Sequence, residues 1–89
     1  MTVEERALVR CFEHVFPHLS QAEIVRAAMA RLGRWDSMRL VTLLGVVERE
    51  FRLTLTPAEI NRCTSFQAML EVVRSAQGRA RRAKRSDPR

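Results

Sequence analysis

No long hydrophobic run occurs anywhere in this sequence of 89 residues. Its apolar runs are a few residues long, whereas a membrane-spanning helix needs about 20. No charged start followed by an apolar segment marks a signal peptide either. We therefore expect no membrane span and a cytoplasmic location. The length suits about one small domain, and 46 % hydrophobic with 29 % charged residues is typical of a folded chain rather than a disordered one.

Cysteine is also scarce, since Cys11 and Cys63 are the only two. Each lies within a helical apolar pattern, which favours small buried hydrophobes over a disulfide framework and agrees with a reducing compartment. Cys11, His14 and His18 could be considered as metal ligands. Pro17 interrupts their spacing, however, and no fourth ligand is near, so we predict no metal site.

Positive charge is concentrated at one end. The formal charge is +6, of which residues 78–89 contribute +5, while residues 1–77 contribute only +1. The final segment has no apolar period and opens with a glycine. We therefore predict a folded domain over residues 1–77 and a basic, disordered C-terminal tail over residues 78–89. Such a tail attracts polyanions through its charge, but it lacks aromatic residues for stacking and specifies no nucleic-acid sequence.

Before this tail, the apolar residues are spaced at the intervals of amphipathic helices. Residues 2–5 form a capping-box start, and apolar residues then recur at helical intervals until Pro17. The predicted stripe is Val3, Ala7 or Leu8, Cys11 or Phe12, and Val15 or Phe16. Residues 20–23 repeat the capping-box pattern, so one or more helical turns are expected there before Gly33. The extent of helix in residues 20–34 is left open by the sequence.

A second long helix is predicted from Ser37 to Phe51, with Leu40, Leu43 or Leu44, Val47 and Phe51 as its buried stripe. Thr56-Pro57 is a favourable entry to a short third helix, and Thr64 or Ser65 can cap the last one. Residues 52–55 alternate like a strand that has no partner, so we expect an extended connection. The predicted fold is all-α: a small four-helix bundle with a long loop between helices one and two and a short third helix.

Asp36 and Ser37 begin the second long helix and allow two interpretations. Both residue types are favoured N-caps, so a purely structural role is one of them. A helix start also presents unpaired N–H groups and a partial positive charge, which suit a phosphodiester on Ser37. The two roles are compatible if Asp36 is the cap.

The residues around this pair resemble the acyl carrier proteins. WDSMRLVTLLGVVEREF, at 35–51, is similar to the family's Asp-Ser-Leu or Asp-Ser-Met helix, and LTLTPAEINRCTSFQAM, at 53–69, is similar to its third helix and the entry to its fourth. The resemblance covers roughly residues 3–75. It implies that Ser37 carries 4′-phosphopantetheine, taken from coenzyme A by a phosphopantetheinyl transferase, with Asp36 as the flanking motif residue. The protein would then be a monomeric carrier of thioesters and no enzyme.

The resemblance also implies partners, namely an acyl- or aminoacyl-loading ligase and downstream synthase enzymes. Carriers of fatty-acid synthesis are usually acidic along the helix that follows the serine. Arg39, Thr42 and Arg49 stand where acids often occur in that family. This departure favours a specialised lipid, polyketide or aminoacyl/peptide pathway, and the identity of the cargo stays open.

A partner-binding surface is predicted beside Ser37. Met38, Val41 and Gly45 lie at intervals of three and four, off the buried stripe, and are expected to form an exposed apolar seam. Arg39 and Arg49 are expected to flank this seam with positive charge. The alternative is that Met38 and Val41 are peripheral core residues.

Ser37 and the basic tail each raise one other function class. A catalytic Ser37 would need a base nearby, yet both histidines belong to the first helix region and no nucleophile elbow is present. A small helical nucleic-acid-binding module is the alternative to the carrier, and its support is the basic tail. Within residues 37–51, Arg39 and Arg49 are balanced by Glu48 and Glu50.

Overall fold

A computed structural model describes residues 1–85, and for residues 83–85 the backbone alone. Its helices are α1 (Val3–Val15), α2 (Gln21–Val25), α3 (Ser37–Phe51), α4 (Pro57–Asn61) and α5 (Phe66–Arg85). The all-α prediction is confirmed. The structure has five helices rather than four, because α2 is an additional short helix inside the long first connection. None of the helices in this part of the chain is both long enough and apolar enough to cross a membrane.

Capping boxes begin three of the helices. The side chains of Thr2, Ser20 and Thr56 each accept a hydrogen bond from the backbone N–H three residues on. The glutamates at those positions bond back to the backbone of the cap, which satisfies two otherwise unpaired donors at each helix start. The starts of α1 and α2 and the entry to α4 are confirmed as predicted. So is the end of α1, at Val15, just before Pro17.

The chain between α2 and α3 is tied to the start of α5. Met29 N–H donates to Thr64 O at 2.9 Å, and Phe66 N–H donates to Ala27 O at 3.0 Å. Ala28 and Ser65 form an isolated antiparallel bridge between these two hydrogen bonds. These contacts join residues about forty positions apart in the chain, which local helical patterns do not reveal. The long connection is thus a fixed part of the domain.

An aromatic cluster centred on Phe12 fills the core. The Phe12 ring lies 5.3 Å from the rings of Trp35 and Phe66, in edge-on arrangements, and 6.2 Å from Phe16. All four side chains are buried. Edge-to-face geometry at these centroid distances is favourable for aromatic rings. Val3, predicted in the same stripe, is instead 78 % exposed because the first turn of α1 extends past the core.

The buried stripe of α3 agrees with its prediction over most of its length. Leu43, Leu44 and Val47 are buried, while Leu40 and Phe51 are partly buried and pack against the same core. Residues 53–55 belong to no helix or strand, which agrees with the predicted connection, but Arg52 forms a left-handed turn rather than extended chain. Leu55 is buried there and Leu53 partly so.

Helix α5 corrects the prediction of a disordered tail from residue 78, since it runs through Gly78 to Arg85. The Arg79 guanidinium pairs with the buried Glu59 carboxylate and also donates to Thr54 O at 3.0 Å. A glycine that ends a helix usually adopts the left-handed conformation, which has a positive φ. The φ of Gly78 is not positive, and the helix continues through it. These tertiary contacts offset the weak helix preference of glycine. The last four residues of the predicted tail, 86–89, lie outside the described part.

Candidate modification site at the start of helix α3

Asp36 and Ser37 have different roles at the start of α3. Asp36 is the N-cap, and its carboxylate accepts a hydrogen bond from Arg39 N–H at 2.9 Å. Ser37 is the first helical residue and is exposed. Its hydroxyl makes no hydrogen bond to any residue between 1 and 85. The capping role therefore belongs to Asp36, and the Ser37 hydroxyl is accessible for reaction.

Trp35 anchors the chain immediately before this pair. It is 2 % exposed, packs edge-on against Phe12, and donates its backbone N–H to Leu32 O at 3.0 Å. The indole Nε1 is buried without a hydrogen-bond partner among the described residues, so the ring is held by packing rather than by polar contacts. Burying so large a ring at the head of α3 gives Ser37 a fixed place on the surface.

Arg39 has a structural contact that the sequence analysis did not predict. Its guanidinium donates to Val15 O at 3.4 Å and lies 5.9 Å from the centroid of the Phe16 ring. Val15 is the last residue of α1, where unpaired carbonyls and the helix dipole favour a cation. Arg39 thus ties the start of α3 to the end of α1, beside Ser37. Its predicted role in partner binding stays a prediction.

The predicted apolar seam lies on the solvent side of α3. Met38 is 80 % exposed and Val41 is 68 % exposed, which excludes the peripheral-core alternative for both. Gly45 is exposed, and a Cβ built there would meet nothing within 4 Å. The three residues leave an open, apolar strip that starts one residue after Ser37. Partner binding at this strip stays a prediction.

Arg49 lies farther along α3, at a groove between this helix and α1. Arg10 and His14 of α1 and Arg52 after α3 line the same groove. Arg10 also forms an exposed ion pair with Glu50 at 3.9 Å. Arg49 is exposed as predicted, and its groove also contains Glu50 and the apolar residues Cys11 and Val46. Arg39 and Arg49 therefore face different neighbours.

Both cysteine thiols are buried and free, as predicted. Burial raises the pKa of Cys11 and the pKa of Cys63 to about 11, because the apolar surroundings disfavour the thiolate. Cys63 Sγ also donates to Glu59 O at 3.3 Å. At neutral pH neither group has appreciable thiolate character, which is the nucleophilic form. The two thiols are therefore chemically quiet in the folded protein.

Within residues 1–85, no group of three or more His, Cys, Asp or Glu side chains is arranged so that it could hold a metal ion. Ser37 has an exposed hydroxyl and a defined backbone setting at the start of α3. Comparisons of the chain with protein-family models, with curated proteins and with solved structures return no match.

Proposed function

We propose that this protein is an acyl carrier that holds biosynthetic intermediates as thioesters on a 4′-phosphopantetheine arm attached to Ser37. The observation that supports the proposal most directly is the exposed, unbonded Ser37 hydroxyl at the first position of α3, next to an aspartate that already caps the helix. The resemblance of residues 35–69 to acyl carrier proteins supplies the class of modification.

The setting of Ser37 fits a phosphodiester. The N–H groups in the first turn of α3 have no acceptor inside the helix. The N–H of Arg39 donates instead to the side chain of the cap residue, Asp36. An anion at an exposed helix start gains about 0.3–1 kcal/mol from the helix dipole. A gain of this size orients the attached group without trapping it, which suits a mobile tether. When bound, the arm supplies a terminal thiol that carries the acyl group as a thioester.

The chain's own thiols are consistent with this role. Cys11 and Cys63 are buried, and their raised pKa values keep them protonated at neutral pH. A thioester on the arm would therefore meet no competing nucleophile from these two residues. The exposed Met38 and Val41 beside Ser37 provide an apolar strip against which a transferase or a synthase can pack.

The carrier proposal is tested by intact mass spectrometry after incubation with coenzyme A and a broad-specificity phosphopantetheinyl transferase. We expect the mass to rise by one phosphopantetheine group. Ser37→Ala should remain unmodified while keeping its helical circular dichroism. Ser20→Ala is the matched control, since Ser20 also lies at a helix start but serves as the cap of α2, and it should be modified like the wild type.

A thiol titration of the folded protein gives a second readout. The unmodified protein should show no rapidly reacting thiol, because both cysteines are buried. The modified protein should show one, contributed by the arm. A wild-type chain that stays unmodified with several transferases contradicts the proposal. Modification that persists in Ser37→Ala contradicts the site.

A nucleic-acid-binding module is the other candidate, and helix α5 gives it a defined basic element over residues 78–85. The outward face of α3 beside Ser37 does not extend that charge, because Met38, Val41 and Gly45 occupy it and Arg49 follows only in the last turn. A helix that reads a DNA groove presents polar and basic side chains instead. This difference favours the carrier over a nucleic-acid module.

A further inference from the structure

A second groove, between the end of α3 and α5, combines an apolar floor with arginines. Its lining residues come from the turn after α3 and from the part of α5 that continues past the core: Phe51, Arg52, Leu53, Gln77, Ala80 and Arg81. Phe51 and Leu53 are only partly buried, so their remaining surface faces solvent. We call this feature the α3–α5 groove. It exists because α5 continues as a helix past residue 77.

The carboxylates nearest to this groove in the sequence are already bonded elsewhere. Glu50, next to Phe51, forms the exposed ion pair with Arg10 at 3.9 Å. Glu48 accepts a hydrogen bond from Leu55 N–H at 2.8 Å, and Glu59 pairs with Arg79. Within residues 1–85, Arg52 and Arg81 form no ion pair with any acid. The groove therefore places the guanidinium groups of Arg52 and Arg81 beside an apolar floor.

The size and chemistry of the groove narrow the class of ligand. Its volume is about 220 Å³, smaller than the range of about 300–1,000 Å³ typical of small-molecule sites. The strongly exposed large hydrophobic residues, Met1, Val3, Met38 and Val41, do not line it, so it lacks an anchor for insertion into a lipid bilayer. Its one aromatic lining residue, Phe51, is partly buried against the core, so the groove has no series of aromatic rings for stacking successive nucleic-acid bases.

An apolar floor with arginines suits a peptide segment better than a phosphate backbone. A phosphate backbone would use the arginines but leave the Phe51 and Leu53 surface uncovered. An acidic segment with one apolar residue would use both features. Arginine pairs well with carboxylates through two parallel hydrogen bonds, and an apolar side chain gains free energy by leaving water.

We propose that the α3–α5 groove binds an acidic segment of a partner protein, with one apolar side chain on Phe51 and Leu53 and flanking carboxylates on Arg52 and Arg81. The groove lies at the opposite end of α3 from Ser37, about 20 Å away along a helix of 15 residues. A bound segment would therefore leave Ser37 accessible. The inference does not depend on the carrier function, since it uses none of the residues of that site.

The test uses a fluorescent probe peptide, EEEELEEEE, titrated with the full-length protein and followed by fluorescence anisotropy. We expect saturable binding that weakens as salt rises from about 50 to about 300 mM. The double variant Arg52→Glu with Arg81→Glu should bind at least about tenfold more weakly. The control is Arg31→Glu with Arg62→Glu, which makes the same change in net charge at two exposed arginines outside the groove. It should bind within about twofold of the wild type.

A second peptide, EEEESEEEE, separates the apolar contact from charge alone and should bind about threefold or more weakly than the leucine peptide. Circular dichroism checks that each variant is folded. Equal losses in the two double variants would overturn the proposal, because binding would then follow net charge. Absence of binding to the wild type would also overturn it. So would tighter, groove-dependent binding of random-sequence duplex DNA or of phosphatidylserine vesicles, since the ligand would then not be an acidic peptide.

Discussion

Neighbouring residues at the start of α3 have separate functions, and the separation is what leaves Ser37 available. Asp36 accepts the N–H of Arg39 and so completes the cap. The Arg39 side chain is directed to Val15 O and the Phe16 ring at the end of α1. Ser37 lies between these two anchored residues without a side-chain bond of its own. A serine that served as the cap would have its oxygen already engaged.

Among residues 1–85, Arg52 is the one non-glycine residue with a positive φ. It follows α3 in the left-handed region, at φ 55° and ψ 50°, where its N–H donates to Glu48 O. Glycine is the usual residue at this position of a helix end because it has no Cβ. We expect Arg52→Gly to raise the free energy of unfolding by about 0.5–1 kcal/mol, measured by urea denaturation.

Arg62→Gly is the matched control, because Arg62 caps α4 in a right-handed conformation at φ −87°. Glycine gains nothing there and adds flexibility to the unfolded chain, so a loss of about 0.5–1 kcal/mol is expected. Destabilisation of both variants to a similar degree would show that the left-handed conformation of Arg52 costs little.

At the scale of the elements, a capping box begins three of the helices. The N–H groups of Thr2, Ser20 and Thr56 each donate to a glutamate carboxylate, at 2.8 Å in every case. These hydrogen bonds favour the charged form and are the main reason that the pKa values of the three glutamates are lowered. For Glu59, pairing with Arg79 lowers the pKa further.

A pH dependence of stability follows from this. A carboxyl group whose pKa is lower in the folded state stabilises the fold above its unfolded pKa, here near 4.5. That contribution is lost as the pH falls through the lowered folded value. We expect the triple variant Glu5→Gln, Glu23→Gln and Glu59→Gln to show a weaker dependence of the melting temperature on pH than the wild type between about pH 5 and pH 2. Glutamine still bonds back to the cap. An acid-induced decline as steep as in the wild type would contradict this assignment.

Helix α5 has two parts with different support. Up to Ala76 it buries an apolar face in the core. Beyond Gly78 the described contacts are polar, chiefly those of Arg79 with Glu59 and with Thr54 O. Arg79 therefore joins the second part to the segment around α4. Ala80 and Arg81, which belong to this second part, line the α3–α5 groove.

At the scale of the whole molecule, one aromatic cluster joins the distant parts of the chain. Phe12 of α1 contacts Trp35, from the connection before α3, and Phe66 at the start of α5. All three are essentially removed from water. Because a domain of this size has one modest core, its stability rests heavily on such a central contact. Ser37 is positioned through the same cluster, since Trp35 is two residues before it.

Truncation of Phe12 should accordingly be among the costliest changes in the chain. We expect Phe12→Ala to lower the free energy of unfolding by about 3–5 kcal/mol through lost burial and a cavity. Phe12→Leu, which keeps most of the volume, should lose less and remain folded. Val3→Ala is the control at an exposed position of the same helix and should stay within about 0.5 kcal/mol. Urea denaturation provides all three values, and a small loss in Phe12→Ala would contradict the central place of the ring.

Much of the fold was predictable because it follows local rules. The starts at Thr2 and Ser20, the end of α1 before Pro17, and the buried stripe of α3 all rest on residues within a few positions of one another. The exposure of Met38 and Val41 follows from the same periodicity. Among the site residues, the identity of Asp36 as the cap was the part that spacing could indicate.

The sequence by itself determined the helical class, the helix starts, the quiet thiols and the place of Ser37 at a helix start, since propensity and periodicity act over short distances. Only the tertiary structure decided the contact of Arg39 with α1, the attachment of residues 27–29 to residues 64–66, and the continuation of α5 past Gly78. Each of these depends on groups far apart in the chain. Gly78 shows the difference most clearly: its local preference is to end a helix, but the Arg79–Glu59 pair one residue later holds the helix in place.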